Sequence, residues 1–157
     1  MGVLRLPLLL TAALIVSPPT ASAEILITID KATQRMTVAV DGAERWTWPI
    51  STGRRGYATP SGRFTAFRLE KDHYSREWDD APMPHSIFFT RKGHAIHGSY
   101  EIKHLGRPAS HGCVRLHPSN AAKLFALVER RGVTDATVVV TDGEGNRRRV
   151  RRVEQGT

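Results

Sequence analysis

Short runs that alternate β-branched or aromatic residues with polar ones dominate the chain after residue 23. Residues 25–29, 36–40 and 46–50 have this pattern, which is typical of β-strands. Asp41-Gly42, between the second and third runs, is a favoured two-residue hairpin turn. The three runs therefore predict an antiparallel meander.

The strand pattern returns in four later runs, two of which are joined by a Lys92-Gly93 turn. Before that pair, residues 70–84 are polar with aromatic and proline insertions, which is typical of a long surface loop or lid rather than of regular structure. The four further strands that the pattern predicts are residues 63–69, 86–90, 94–97 and 137–141.

One amphipathic helix is expected, and it follows the cysteine at position 113. Pro118 suits the first helical position, and Gly132 supplies a stop. Between them an apolar stripe recurs at helical spacing. The residues of this stripe are Ala121, Leu124, Phe125 and Val128.

The first 23 residues have the features of a secretion signal. Arg5 precedes an apolar run over residues 6–16, and Ala21-Ser22-Ala23 is a small-residue cleavage site. The run is about half of the roughly 20 apolar residues that a membrane span needs. We therefore expect a cleaved signal peptide at residues 1–23, one domain at 24–142 and a basic tail at 143–157, with no integral membrane segment after cleavage.

The chain carries a formal net charge of +8, and part of the surplus lies in the arginine-rich run at residues 147–152. An exported basic protein is expected to contact cell-wall polymers or membrane surfaces before nucleic acid. Its aromatic residues do not alternate with the basic ones as they would in a base-stacking platform. We therefore expect no nucleic-acid partner.

Cys113 is the only cysteine of the chain. Most cysteines in an oxidising compartment are paired, so a lone one is expected to be a free thiol. A buried structural cysteine is the alternative. The adjacent Gly112 and two nearby histidines make poor core packing and favour a reactive thiol.

All seven histidines lie within residues 73–117, the interval that also contains Cys113. Chance surface composition, a metal site and a thiol–imidazole pair each account for this clustering. The spacings His94-x-x-His97 and His111-x-Cys113 match neither Cys-x-x-Cys nor His-Glu-x-x-His, so they are weak zinc signatures. A catalytic pair is favoured, because an imidazole activates a thiol by accepting its proton or by stabilising the thiolate.

Two histidines are placed to act on Cys113. His111 lies two positions earlier, on the same side of the chain if the segment is extended, and His97 ends a predicted strand from which it can reach across the sheet. The Gly98 carbonyl is a natural acceptor for one imidazole N–H of the base. Gly112 allows a turn that points successive backbone N–H groups at a developing oxyanion.

Ser110 and Arg115 complete the segment around the cysteine. Each can hydrogen-bond the loop or meet a substrate carboxylate, for which the guanidinium fork of arginine is the better partner. With His97-Gly98-Ser99 upstream, Ser110-His111-Gly112-Cys113-Val114-Arg115 resembles the motif of the L,D-transpeptidase catalytic domain, the YkuD-like family.

Upstream segments carry the same resemblance, which covers about residues 24–140. The gap between His97 and Ser110 is short against the commonest form of the motif, and Arg115 stands where many members have Asn. The upstream segments that are similar to elements of the family are Ser51-Thr52-Gly53, Thr59-Pro60-Ser61-Gly62-Arg63-Phe64 and Met83-Pro84 leading into Phe88-Phe89.

The resemblance implies a mainly β, sandwich-like or barrel-like fold with one main helix after the cysteine. It implies that Cys113 attacks the peptide bond between the diamino acid at peptidoglycan stem position three and the D-Ala at position four. His97 would be the general base, held by the Gly98 carbonyl, and backbone N–H groups from His111 to Cys113 would bind the oxyanion, supported by Ser110. D-Ala leaves, a thioester forms, and an amine from another stem resolves it into a cross-link.

Substrate contacts are expected from Arg115, Ser99, Met83 and Phe89. The implied partners are peptidoglycan stem peptides, the implied location is the periplasm or cell wall, and no metal or organic cofactor is implied. Water in place of the amine would give an L,D-carboxypeptidase, and an amine on a wall-anchored protein would tether that protein. A non-catalytic wall-binding module is the alternative from a different class, although a binding module needs no free thiol.

Overall fold

The structure, a computed structural model, describes residues 24–143. The predicted signal peptide and the arginine-rich run at residues 147–152 lie outside the described residues. The described part forms two sheets and one long helix. None of its helices is long and apolar enough to cross a membrane.

The first sheet has five strands in the order β3-β2-β1-β9-β4. β1 pairs antiparallel with β2 and parallel with β9, and β9 pairs antiparallel with β4. The turn between β2 and β3 is the predicted Asp41-Gly42, with both φ angles positive at 52° and 82°, as a twisted hairpin turn requires. The five strands are β1 (Ile25–Asp30), β2 (Arg35–Val40), β3 (Ala43–Pro49), β4 (Gly62–Thr65) and β9 (Ala136–Thr141).

The second sheet has four strands in the order β5-β6-β7-β8. β6 pairs antiparallel with β5 and β7, whereas β8 pairs parallel with β7. The four strands are β5 (Arg68–Tyr74), β6 (Pro82–Phe88), β7 (Ala95–Gly98) and β8 (Val114–Leu116).

The main helix, α1 (Pro118–Arg131), begins and ends where the sequence predicts. Pro118 is its first residue, and the chain leaves the helix at Gly132, whose φ of 111° suits glycine. The predicted stripe is buried, and Leu127 is buried with it. The helix packs against the second sheet, chiefly on β6 and β7.

The core lies between the two sheets and α1, and alternation along the strands builds it. Ile25, Ile27 and Ile29 of β1 are fully buried, while Leu26 and Thr28 between them are half-buried. From the second sheet, Ile87, Ile96, Val114 and Leu116 enter the same cluster. The mainly β sandwich-like fold with one main helix is therefore confirmed.

Two sequence predictions about the middle of the chain were wrong. Residues 63–69 are not one strand, because the chain crosses between sheets there: the Ala66 N–H donates to Ala136 O, and the next N–H, from Phe67, donates to Phe88 O. Residues 70–84 are not a long loop, since β5 continues to Tyr74 and β6 begins at Pro82. β5 is an edge strand with many exposed side chains, so its backbone pairing leaves no apolar alternation in the sequence.

Candidate active site

The parallel pairing of β7 with β8 brings His97 and Cys113 to one face of the second sheet. His97 lies opposite Arg115, and Cys113 is two positions before Arg115, so all three side chains point to the same side. The intervening Ile96 and Val114 point the other way, into the core. The sheet therefore places an imidazole, a thiol and a guanidinium together. The sequence predicted that His97 can reach the thiol, but not that Arg115 lies opposite His97.

His97 is buried, with 5% of its surface exposed, and it is tautomerically fixed. Its Nδ1 lies 2.7 Å from the Gly98 carbonyl oxygen, an acceptor, so Nδ1 carries a proton and donates it. Burial lowers the pKa of His97 to about 4, against the opposing effect of the Gly98 hydrogen bond. The ring is therefore neutral near pH 7, with Nε2 unprotonated and able to accept a proton.

Gly98 lets the main helix approach the strand that carries this carbonyl. A Cβ atom at Gly98 would lie 3.2 Å from the Pro118 Cα and 3.3 Å from the Ala121 Cβ. A Cβ at these distances would require its neighbours to shift by a few tenths of an ångström, so glycine allows the close approach of α1 to β7. Ser99, next along, donates its N–H to Leu116 O, and its Oγ accepts from the Glu101 N–H.

Cys113 is half-buried in the floor of a cleft, with its Sγ 3.8 Å from the Gly93 carbonyl oxygen. Desolvation raises the pKa of the thiol, while a hydrogen bond from the Ala95 backbone and the charge of Arg115 oppose this rise and Glu77 adds to it. The resting thiol is therefore protonated at neutral pH. With a neutral His97, the pair can begin its chemistry by moving the thiol proton to the imidazole.

The loop before Cys113 is a tight turn and not the extended segment that would place His111 beside the thiol. Ser110 Oγ donates to Cys113 O at 2.5 Å and accepts from the Gly112 N–H at 3.1 Å. Gly112 has φ of +122°, and a Cβ there would lie 3.1 Å from the His94 ring. Because the Gly112 N–H is already engaged, the backbone donors left for an oxyanion in this loop belong to His111 and Cys113.

The Ser51-Thr52-Gly53 segment, to which the sequence assigned no role in the site, holds this loop in place. Thr52 O accepts the N–H groups of Ala109 and Ser110, and Arg54 returns a hydrogen bond to Ser110 O. Ser51 exchanges two backbone hydrogen bonds with Arg115. The segment thus forms two isolated β-bridges, Ser51 with Arg115 and Gly53 with Ser110, which tie the cysteine loop to the rest of the fold.

Two buried side chains fix the geometry of these bridges. Gln34 donates to Thr52 Oγ1 at 2.7 Å and accepts from the Thr52 N–H at 2.9 Å. Thr59 Oγ1 accepts from the Gly53 N–H and donates to Gly112 O, at 2.9 and 2.8 Å. Such distant pairings leave no local signal in the sequence, although the match of these threonines to family motifs pointed to them.

His111 packs in an aromatic cluster at the edge of the cleft. Its ring stacks on Trp78, with centroids 3.7 Å apart, and meets the Tyr57 ring edge-on at 5.0 Å. Desolvation lowers the pKa of His111, and the charges of Arg54 and Arg115 lower it further. Trp78 lies in the β5–β6 connection, so this stack pins that connection over the cysteine loop.

The cleft that contains Cys113 has a volume of about 790 Å³. Met83, Ser99 and Arg115, from which the sequence predicts substrate contacts, line it. Phe89 does not: it is 3% exposed and packs in the main core, 5.4 Å from the Phe64 ring. Its neighbour Phe88 lines the cleft instead, because successive strand residues face opposite sides and the sequence prediction chose the wrong one.

The guanidinium of Arg115 faces the cleft without an ion-pair partner among residues 24–143. It is therefore free to bind a substrate carboxylate. The metal interpretation of the histidines has no counterpart in the described region, where no three His, Cys, Asp or Glu side chains converge as ligands. His94, for example, is hydrogen-bonded to Thr90 Oγ1 at 2.7 Å.

Comparison with known proteins agrees with this geometry. Residues 24–141 match the YkuD family, described as the L,D-transpeptidase catalytic domain. The chain belongs to this family. The match spans every strand of both sheets, the main helix and the cleft.

Relatives of the family domain agree in sequence and in fold. YqjB of Bacillus subtilis (strain 168), whose name places it among L,D-transpeptidases, is 24% identical over 128 residues, covering 74% of this chain and 70% of its own. An L,D-transpeptidase from Mycobacterium smegmatis superposes with a TM-score of 0.69 at 26% identity, covering 76% of this chain and 59% of its own. One from Stackebrandtia nassauensis gives a TM-score of 0.64 at 28% identity, covering 80% and 61%. The chain thus spans about three fifths of the length of these two structures.

Proposed function

We propose that this chain is an L,D-transpeptidase that acts on peptidoglycan stem tetrapeptides through a thioester on Cys113. The observation that carries the proposal is the neutral, tautomerically fixed His97 on the same sheet face as the thiol. Membership of the YkuD family supports the reaction class. The donor bond would be the one between the diamino acid at stem position three and the D-Ala at position four.

The first step is attack of Sγ on the carbonyl of that bond. His97 Nε2 takes the thiol proton as the C–S bond forms, because the Gly98 carbonyl holds the other nitrogen as the donor. General-base assistance of this kind contributes about 10²- to 10⁴-fold in rate. Since burial raises the pKa of the Cys113 thiol, the chemistry starts from the neutral pair and not from a standing thiolate.

The oxyanion would be stabilised by the backbone N–H groups of Cys113 and His111. The Gly112 N–H supports the turn through Ser110 Oγ and is not available. The imidazolium of His97 then gives its proton to the departing D-Ala amine, and the C–N bond breaks. An amine from a second stem attacks the thioester, releases the thiol and completes the cross-link.

Substrate binding follows from the cleft lining. Arg115 would pair with a carboxylate of the stem peptide, while Met83, Phe88 and Ser99 would contact its aliphatic and polar parts. The protein would be exported by a cleaved signal at residues 1–23 and act in the periplasm or cell wall, with residues 143–157 as a basic tail. All of these assignments require that the stem peptide reaches Cys113.

Mass spectrometry of the full chain tests the proposal directly. A carbapenem, whose strained β-lactam carbonyl acylates activated nucleophiles, should add its mass to the wild type and not to a Cys113→Ala variant. Incubation with tetrapeptide muropeptides should give cross-linked dimers with release of D-Ala. Trimmed tripeptides without dimers would indicate a carboxypeptidase, and retained activity in Cys113→Ala would refute the nucleophile.

A further inference from the structure

His73 on β5, which the proposed mechanism does not use, lines the same cleft as Cys113 and His97. Its Nδ1 contacts the Glu70 carboxylate, and the other oxygen of that carboxylate lies 3.3 Å from the Arg68 guanidinium. The His73 side chain is 23% exposed. This carboxylate–imidazole dyad shares no residue with the pair formed by His97 and Gly98.

The ring of His73 is held in a defined orientation by the cleft wall. It meets the Phe88 ring edge-on, with centroids 5.1 Å apart and planes at 87°, and the Arg68 guanidinium lies 3.7 Å from the centroid of the same ring. Nδ1 is occupied by Glu70, and within residues 24–143 no protein group is hydrogen-bonded to Nε2. His73 is also close enough to His97 for its charge to lower the pKa of that residue.

The second half of the proposed reaction needs a base that His97 does not supply. An acceptor amine resembling a lysine side chain has a pKa of about 10.4, so at pH 7 only about one molecule in 2,500 is the free nucleophile. The ammonium must lose two protons, one before it attacks and one as the C–S bond breaks, but His97 has only Nε2 free because Nδ1 donates to the Gly98 carbonyl. A second base in the cleft would take the first of these protons from the ammonium.

We infer that His73, oriented by Glu70, deprotonates the acceptor ammonium before it attacks the Cys113 thioester. The inference rests on the proposed function. His73 Nε2 takes one proton from the ammonium, and the adjacent Glu70 carboxylate stabilises the imidazolium that forms. The amine lone pair then forms the C–N bond, its second proton passes through His97 to the sulfur as the C–S bond breaks, and the proton on His73 is released to water.

The test separates the two half-reactions in the full chain with a His73→Gln variant. The chain offers a matched control, since His104 contacts Glu101 at 3.2 Å with the same three-residue spacing and similar exposure, yet does not line the cleft. Acylation is measured by the rate of carbapenem adduct formation. The partition of the Cys113 thioester between amine and water is measured as the ratio of dimer to tripeptide. The substrates are tetrapeptide muropeptides, which supply both the donor bond and the acceptor amine.

His73→Gln should acylate within about twofold of the wild type, while its ratio of dimer to tripeptide falls about tenfold or more. In Glu70→Gln the ratio of dimer to tripeptide should fall by less, and His104→Gln should match the wild type in both measurements. The difference in this ratio between His73→Gln and the wild type should become smaller from pH 7 to pH 9, because more of the acceptor amine is already deprotonated in solution at pH 9. The charged and titratable groups that share the cleft with His73 are unchanged in this variant and include Arg68, Glu70, Glu77, Lys92, His97 and Arg115.

Four results would overturn the inference. An unchanged ratio in His73→Gln, with normal acylation, removes His73 from acceptor activation but leaves the proposed function intact. An equal loss in both half-reactions, or a defect that pH 9 does not narrow, assigns His73 a structural or donor-side role. Failure of the wild type to acylate refutes the proposed function itself, and the inference falls with it.

Discussion

Acidification should destabilise this protein through His97. The pKa of His97 is lowered from 6.5 to about 4, chiefly because the buried ring loses its hydration, and the nearby Arg115 and His73 lower it further against the Gly98 hydrogen bond. The unfolded chain binds the proton near pH 6.5, whereas the folded chain resists it until about pH 4. The contribution of His97 to the free energy of unfolding is complete above pH 6.5 and is lost as the pH falls to about 4. The difference between the folded and unfolded pKa values corresponds to about 3 kcal/mol.

Urea unfolding followed by tryptophan fluorescence at pH 7, 6, 5 and 4.5 measures this effect. A His97→Gln variant is the comparison, because glutamine can still donate to the Gly98 carbonyl but does not titrate. Burial also lowers the pKa values of His94 and His111, so both proteins lose stability in acid, and only the difference between them isolates His97. The wild type should lose about 2 to 3 kcal/mol more than the variant between pH 7 and 4.5. Parallel stability curves would refute a buried, neutral His97.

Three further variants test the cleft and its supports. Gly112→Ala should lose about 1 to 3 kcal/mol of unfolding free energy and most carbapenem acylation, because its φ is +122° and its Cβ would lie only 3.1 Å from the His94 ring. Gly56→Ala, with φ of +86° and open space around the new Cβ, should keep acylation. Trp78→Ala should slow acylation severalfold but cost at most about 1.5 kcal/mol, since it removes one exposed aromatic stack; a loss of folding would contradict this. Phe89→Leu should lower the urea midpoint with an unchanged KM for muropeptides, whereas Phe88→Leu should raise KM, and the reverse result would mean that the two faces were assigned wrongly.

Local pattern predicted the strands whose two faces differ in environment. β1, β2 and β9 each bury alternate residues, so their apolar periodicity was visible in the sequence. The same reason made α1 predictable from its first residue, Pro118, to the glycine that follows it, Gly132. β5 escaped prediction because an edge strand is stabilised through its backbone, and β8 because it has only three residues.

The site was predictable where its chemistry is local. The hydrogen bond from His97 to Gly98 joins adjacent residues, and Ser110 bonds within its own turn, so both relations follow from their order in the chain. His111 would lie beside the thiol only if its segment were extended, and the positive φ of Gly112 turns the loop instead. The ability of Arg115 to meet a substrate carboxylate could be expected from the sequence. Its position opposite His97 could not.

By itself, the sequence determined the residue types that can do chemistry: a lone thiol at Cys113, a histidine followed by glycine at His97, and the strand pattern that carries them. Tertiary structure decided which of two adjacent residues, Phe88 or Phe89, faces the cleft. It also placed His73 of a polar edge strand in the same cleft as His97. The physical reason is that side-chain alternation defines two faces of a strand, but only the packing of α1 and the other sheet decides which face is buried and which meets the substrate.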